Sequence, residues 1–315
     1  MIDLNSTASR YSTVLVVGGS GFIGSHLVAQ LAATGRRVIV PTRHASRVRS
    51  FSVLPTVEVV QADINKSNVL KRLVRQADAV INLVGVLHSK QGKLGSGYGP
   101  GFAAAHVDLP KKIVSACNDA DVHRYLHMSA LGASVHGSSM YLRSKADGEA
   151  AAFSDSLAVT VMRPSVVFGP GDRFLNLFAR LQKYLPVIAL GGAEVRFQPV
   201  YVGDVAQAFV HSLENAATFG KVYELGGPTI YTLRQLVTLA GQLAGHPRPI
   251  IALPESLARL QAGLLECLPG EPLMSRDNVD SMKQDNITSG PIAPELRITP
   301  TPLEAIAAQY LSQPR

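Results

Sequence analysis

Residues 18–24 read GGSGFIG; the run TVLVV (13–17) precedes them, and Ile23, Leu27 and Leu31 then recur at helical spacing within 22–34. The order is strand, glycine turn, helix. β-Branched residues favour the strand, glycine adopts the tight-turn angles at little cost, and Gly35 stops the helix. Gly18, Gly21 and Gly24 match GxxGxxG, and Gly19, Gly21 and Gly24 match GxGxxG. A turn without side chains lets a diphosphate approach the backbone, where a helix N-terminus offers free N–H groups and its positive dipole end. Gly24 lets the helix pack close to the sheet. Gly18, Gly19, Ser20, Gly21, Phe22, Ile23 and Gly24 are therefore candidate dinucleotide ligands. The competing reading is a structural turn without a ligand.

Outward from this turn, short apolar runs at Val38–Val40, Val57–Val60, Ala79–Val84, Tyr125–Met128, Val159–Val161 and Val166–Phe168 alternate with amphipathic stretches. Such alternation predicts a parallel sheet covered on both faces. With right-handed crossovers it becomes a Rossmann-type doubly wound α/β fold. Residues 88–101, HSKQGKLGSGYGPG, read as a loop near the strand ends. After Gly169-Pro170-Gly171 the pattern turns mostly helical: Phe174–Tyr184, a helix opened by a Thr232/Gln235 capping box, Pro254–Leu268 and Pro302–Leu311. The expected organisation is a dinucleotide-binding domain over 1–168 and a smaller, mostly helical substrate or partner domain over 169–315, with some interleaving.

Of the 315 residues 46% are apolar and 17% charged, which suits a globular chain. The net charge of +7 fits an anionic cofactor, and its basic residues are too scattered for a nucleic-acid arm. Only Arg36, Arg37, Arg43, Arg47 and Arg49 concentrate at all. Cys117 and Cys267 lack partners at metal-ligand spacing, so the expectation is no metal and no disulfide framework. Met1–Ser12 lacks the apolar stretch of a signal peptide, and no apolar run approaches the roughly 18 residues of a membrane span. A cytoplasmic protein is expected, and its oligomeric state is not fixed by the sequence.

Thr42 and Arg43 stand after the second strand, where an NAD site usually places an acid, and Arg47 follows. Arg43 suits a 2′-phosphate, so the chemistry favours NADP(H) over NAD(H); the alternative is that these arginines only face solvent. Asp63 and Ile64, past the third strand, are placed for the adenine, or Asp63 caps the next helix. Tyr141 and Lys145 lie four apart on a predicted helix and share a face. An adjacent ammonium lowers a phenol's pKa, and such a tyrosine exchanges a proton while hydride moves to or from a nicotinamide.

GGSGFIG, HMSALGA, YLRSK and RPSVVFGPGD, in this order, resemble the short-chain dehydrogenase/reductase superfamily in its extended and atypical branches. DRFLNLFARL (172–181), QPVYVGDVAQAF (198–209) and LRITPTPLEAIAAQYL (296–311) resemble the NAD(P)H-binding accessory subunit family of respiratory complex I and its bacterial relatives. The resemblance implies Tyr141 as general acid/base and Lys145 as its partner and ribose ligand. It places Pro164, Val166 and Val167 along the nicotinamide carboxamide, Gly85 by the adenosine ribose, and Asp204 as a helix cap. It also implies peripheral association with a membrane respiratory or quinone-related complex, at the cytoplasmic face of the inner membrane, with Leu257, Leu260, Leu264 and Leu265 as a candidate apolar patch or as ordinary core. The alternative is an active oxidoreductase or a sugar-nucleotide epimerase, with Arg196 on the diphosphate. Two positions depart from the pattern. Ala130 stands where a Ser or Thr is usual, leaving Ser129, Ser138 or Ser139 to supply the hydroxyl. His106 replaces an Asn ahead of Pro110, and reads either as a proton relay or as a buried, hydrogen-bonded histidine.

Overall fold

Apolar runs without alternation are strands buried on both faces, and the runs flanking the glycine turn take that role. The computed structural model describes residues 10–89, 97–270 and 272–312, with the side chains of 45–47 and 49 outside the description. Residues 90–96 of the expected loop, and the side chains of Arg47 and Arg49, therefore lie outside the described residues. The strands β1 (Thr13–Val17), β2 (Arg37–Thr42), β3 (Val57–Gln61), β4 (Ala79–Asn82), β5 (Arg124–Met128) and β6 (Ala158–Pro164) join a later strand, Lys221–Leu225, in one seven-stranded sheet. Numbering that strand β11 by chain order, the sheet runs β11-β6-β5-β4-β1-β2-β3, and every pair is parallel. The order reverses between β1 and β4, so their carboxyl ends border the crevice where doubly wound sheets take ligands.

Helices α1 (Phe22–Ala33) and α7 (Val202–Glu214) cover one face, packing Leu27, Val28, Leu31, Val205 and Phe209 on Val14, Val16 and Leu126. Helices α2 (Ser67–Val74), α4 (Leu109–Ala120) and α5 (Met140–Ala152) cover the other. The short α3 (Pro100–Phe102) runs into α4 through a π-helical stretch, Ala103–Asp108. Pro110 has no N–H for the carbonyl of His106 four residues back, which is the bond an α-helix requires there. The freed carbonyl faces α5 at Gly148, where a Cβ would sit 2.2 Å from the His106 oxygen.

The second half contains α6 (Phe174–Tyr184), α8 (Leu233–Leu243), α9 (Glu255–Glu266), α10 (Arg276–Ser281) and α11 (Leu303–Leu311). Short pairs join β7 (Val167–Phe168) to β10 (Val200–Tyr201), β8 (Ile188–Gly191) to β13 (Ile250–Leu253), and β9 (Arg196–Phe197) to β12 (Tyr231–Thr232). The capping box of Thr232 and Gln235 forms as expected. The sequence reading placed no strand at 221–225: KVYEL is an edge strand whose Lys221 and Val222 are exposed, so it lacks a continuous apolar signal. Asp204 does not cap α7; its carboxylate accepts from the Thr301 N–H (2.7 Å) and hydroxyl (2.9 Å), a structural role of another kind. On α9, Leu257, Leu260 and Leu264 are 49%, 61% and 65% exposed, and Leu265 is half-buried. Among the described residues no helix is long and apolar enough to cross a membrane, and no group of three His, Cys, Asp or Glu side chains is placed to hold a metal.

Candidate functional site

β1 ends under the glycine turn. Gly18 has φ +87°, and a Cβ there would lie 3.1 Å from the main chain of Leu83 and Val84 after β4. A Cβ on Gly24 would stand 2.4 Å from the Gly18 carbonyl oxygen, so only glycine lets α1 start this close to its turn. No side chain caps the start of α1, and its first turn carries no acid. This cradle of bare backbone with an uncapped helix N-terminus fits a dinucleotide diphosphate. Ser20, Phe22 and Ile23 are half-buried along it.

At the ends of β2 and β3, Arg43 is exposed and Asp63 and Ile64 are half-buried. Asp63 caps no helix; it accepts from the Asn65 main-chain N–H (3.1 Å) and amide (2.9 Å), forming an Asx turn. These bonds hold its carboxyl below the usual range against a counteracting desolvation, with smaller help from the Arg43 and Lys66 charges. Arg43 thus lies in the field of a carboxylate.

Tyr141 and Lys145 share a face of α5, with the Lys145 ammonium 5.9 Å from the Tyr141 ring centre. Lys145 is buried, donates to the Met128 carbonyl at 3.2 Å, and is pushed down to about 8 by burial, with the Glu149 charge opposing. The expected depression of the Tyr141 pKa is corrected: burial pushes the phenol up to about 12. A Cβ on Gly85 would lie 3.2 Å from the Lys145 ammonium, which brings that loop to the pair. Ser129 follows Met128 at the end of β5; its hydroxyl is buried and has no hydrogen-bond partner among the described residues. Ser138 has the same character, whereas Ser139 caps α5 by accepting from the Leu142 N–H. Pro164 lies against this loop, its carbonyl accepting from the Leu131 N–H at 2.9 Å, and Val166 and Val167 continue beyond it, half-buried. The chain therefore gathers the turn, Gly85, Ser129, Tyr141, Lys145 and 164–167 along the ends of β1, β4, β5 and β6, while Arg43, Asp63 and Ile64 occupy the ends of β2 and β3.

His106 Nε2 accepts from the Val86 N–H at 3.0 Å, so Nδ1 carries the proton toward the Ser144 hydroxyl at 2.8 Å; Ser144 in turn donates to the Tyr141 carbonyl. Burial and the Lys145 charge push its pKa down to about 2. It is a neutral, fully hydrogen-bonded histidine that ties the Gly85 loop to α5.

Two residues escaped the sequence reading. The Asp277 carboxylate on α10 accepts from the Met140 N–H (2.6 Å) and the Tyr141 N–H (3.0 Å), and the Asn286 side-chain oxygen accepts from the Ser165 hydroxyl (2.6 Å) and the Val166 N–H (3.2 Å). Both lie more than a hundred residues from their partners, and no local motif announces them. Arg196 is engaged by Asp285 through Nε (2.9 Å) and a terminal nitrogen (2.6 Å).

Residues 14–226 match the NAD dependent epimerase/dehydratase family. The chain belongs to that family. Along 95% of its length this epimerase-family chain is 31% identical to NADH dehydrogenase (ubiquinone) 1 alpha subcomplex subunit 9, mitochondrial, of Mus musculus, covering 80% of it. It is 30% identical to the subunit of the same name from Arabidopsis thaliana, covering 95% of this chain and 77% of that one. In fold it is similar to MoeE5 in complex with UDP-glucose and NAD (TM-score 0.71, 20% identity, 95% and 97% of the two chains). UDP-glucuronic acid 4-epimerase from Bacillus cereus, in complex with UDP-glucuronic acid and NAD, is similar too (TM-score 0.69, 18% identity, 95% and 96%). Both structures hold NAD. The expectation of NADP(H) drawn from Arg43 is therefore corrected, and the Asp63 carboxylate, in whose field Arg43 lies, adds a negative charge near that arginine.

Proposed function

We propose that this epimerase-family chain binds NAD(H) on the glycine turn and is a working oxidoreductase or epimerase of the short-chain dehydrogenase/reductase type. The observation that carries this reading is a buried Ser129 hydroxyl, without a hydrogen-bond partner among the described residues, next to the Met128 carbonyl that holds Lys145, whose ammonium lies 5.9 Å from the Tyr141 ring centre. A buried hydroxyl without a partner is costly, and an oxygen-bearing substrate would satisfy it. When bound, the nicotinamide supplies or accepts the hydride. Tyr141, held near pKa 12, is protonated at neutral pH and serves as the donor to a substrate carbonyl oxygen; Lys145 keeps a positive charge beneath it. Ser129 orients that oxygen in place of the hydroxyl absent at Ala130. The substrate class is a small carbonyl or hydroxyl compound. The sugar-nucleotide form of the reading needs another diphosphate ligand than Arg196, which Asp285 occupies. The test is NADH turnover against a panel of carbonyls, quinones and UDP-sugars. Tyr141→Phe should lower kcat on the order of a hundredfold or more with NADH affinity within about twofold; equal rates for variant and wild type would end the enzyme reading.

A second reading is favoured by the identity to mitochondrial accessory subunits and by the exposed leucines of α9: the chain holds NAD(H) as a structural ligand and docks, peripherally, on a membrane respiratory assembly. Leu260→Gln with Leu264→Gln should then leave the melting temperature and NADH binding unchanged, as expected for exposed positions, and abolish co-sedimentation with respiratory membranes. Undiminished co-sedimentation would remove this reading.

A further inference from the structure

Helix α5 begins with a gap in its own sequence. The side chain of its local cap, Ser139, accepts from the Leu142 N–H, and the two preceding orphan donors of the first turn belong to Met140 and to Tyr141 itself. Both are satisfied by Asp277, a buried carboxylate delivered from 136 residues away on α10. Asp277 is in turn held in place: the capping box of Ser275 and Asn278 opens α10, and Asp280 of the same helix pairs with Arg259 and Lys283. Nine positions on, Asn286 grips the other reacting edge. Besides its bonds to Ser165 and Val166, its amide reaches the Leu131 carbonyl (3.5 Å), and its main chain bonds Arg196 and Gln198. One backbone segment thus fixes the start of the proton-donor helix and the strand end where the proposed nicotinamide would lie.

From this juxtaposition we infer that Asp277 is a positioning residue: it sets where the Tyr141 phenol stands relative to the 164–167 edge, with Asn286 as the second anchor of the same strap. The inference rests on the proposed role of Tyr141. Proton and hydride sites must be aligned to fractions of an ångström, and misplacement by about 1 Å costs on the order of a hundredfold in rate. Placing that alignment on a segment of the substrate-side half makes the donor's position depend on the half that would receive the substrate.

The test uses the full chain labelled with 13Cζ-tyrosine, the Tyr141 resonance being assigned with Tyr141→Phe. Asp277→Asn keeps the size, but its amide group turns donors toward one of the two N–H groups. The expected result is a shifted and broadened Tyr141 resonance, Tyr223 and Tyr310 unmoved, NADH affinity within about twofold, and kcat lower by on the order of tenfold or more with KM nearly unchanged. Asp277→Glu, which retains the carboxylate, should restore part of the signal. If Asp277→Asn does not fold, Asn278→Ala, which only loosens the α10 cap, should shift the same resonance less and in the same direction. A variant that melts earlier yet leaves the Tyr141 resonance at its wild-type position would overturn the inference and leave Asp277 as a purely structural cap. The resonance is read without substrate, so loss of the enzyme reading would appear as inert wild type with the strap result standing on its own.

Discussion

Lys145 is an ammonium with 3% of its surface exposed and one carbonyl for company. Its folded pKa of about 8 lies below the ordinary 10.5, so the folded chain sheds the proton first. Between those values the unfolded state binds more protons, and stability from this group rises with pH across that window. Lys145→Met should therefore unfold at higher urea than wild type at pH 7, by up to roughly 3 kcal/mol, with the gain vanishing near pH 10.5. A gain of equal size at both pH values would show that the buried charge is not its cause. For the proposed reaction the same titration predicts that carbonyl reduction falls as pH rises through about 8, because the positive charge beneath Tyr141 disappears there; a rate flat to pH 10 would place the control elsewhere. Tyr141 and Lys145 were legible as a pair because four-residue spacing on a helix puts them on one face. The sign of the phenol shift was not, since it depends on how deeply α5 is buried, which spacing does not encode. Asp277 and Asn286 were invisible for a related reason: each acts through a single bond pattern closed across the whole chain.

Among the elements, the glycine turn and its flanking strand and helix follow from local rules alone. Strand 13–17 and helix Phe174–Tyr184 have the limits expected from their runs. The π-helical stretch before α4 does not, because it needs two conditions at once: Pro110 to free the His106 carbonyl and Gly148 to admit it. Gly148→Ala places a methyl 2.2 Å from that oxygen, so the helix pair must separate. The expected cost is about 2–3 kcal/mol or more, read as a lower melting temperature, together with weakened NADH binding through the displaced Gly85 loop; an unchanged melting curve would mean the two helices slide freely. Gly24→Ala strikes backbone against backbone at 2.4 Å and should cost at least as much while abolishing NADH binding in a titration.

At the scale of the molecule, the doubly wound sheet was read correctly because parallel strands are apolar on both faces, while β11 was missed because Lys221 and Glu224 break its apolar run. Arg124 shows how the late elements are secured. Its guanidinium is fully buried on β5 and donates to the carbonyls of Ser212 and Leu213 in the last turn of α7, to Ala158, and to the Thr218 hydroxyl, with Phe219 stacked 4.4 Å away. A cation at a helix carboxyl end is favourable, and Arg124→Met would leave those carbonyls without their donor. Chemical denaturation should show a loss of about 3 kcal/mol; a loss under about 1 kcal/mol would mean that water replaces the guanidinium.

The bonds from Thr301 to Asp204 and from Tyr310 to Asp172 span 97 and 138 positions. During synthesis, a ribosome that has delivered every residue up to 300 has produced the glycine turn, the sheet, Tyr141 and Lys145, yet Asp204 still lacks the Thr301 donors that its carboxylate accepts from in the folded chain. The bonds that tie Asp204 and Asp172 to the last segment can thus form only after this stretch has cleared the exit tunnel. Chaperone engagement should accordingly concentrate in that interval.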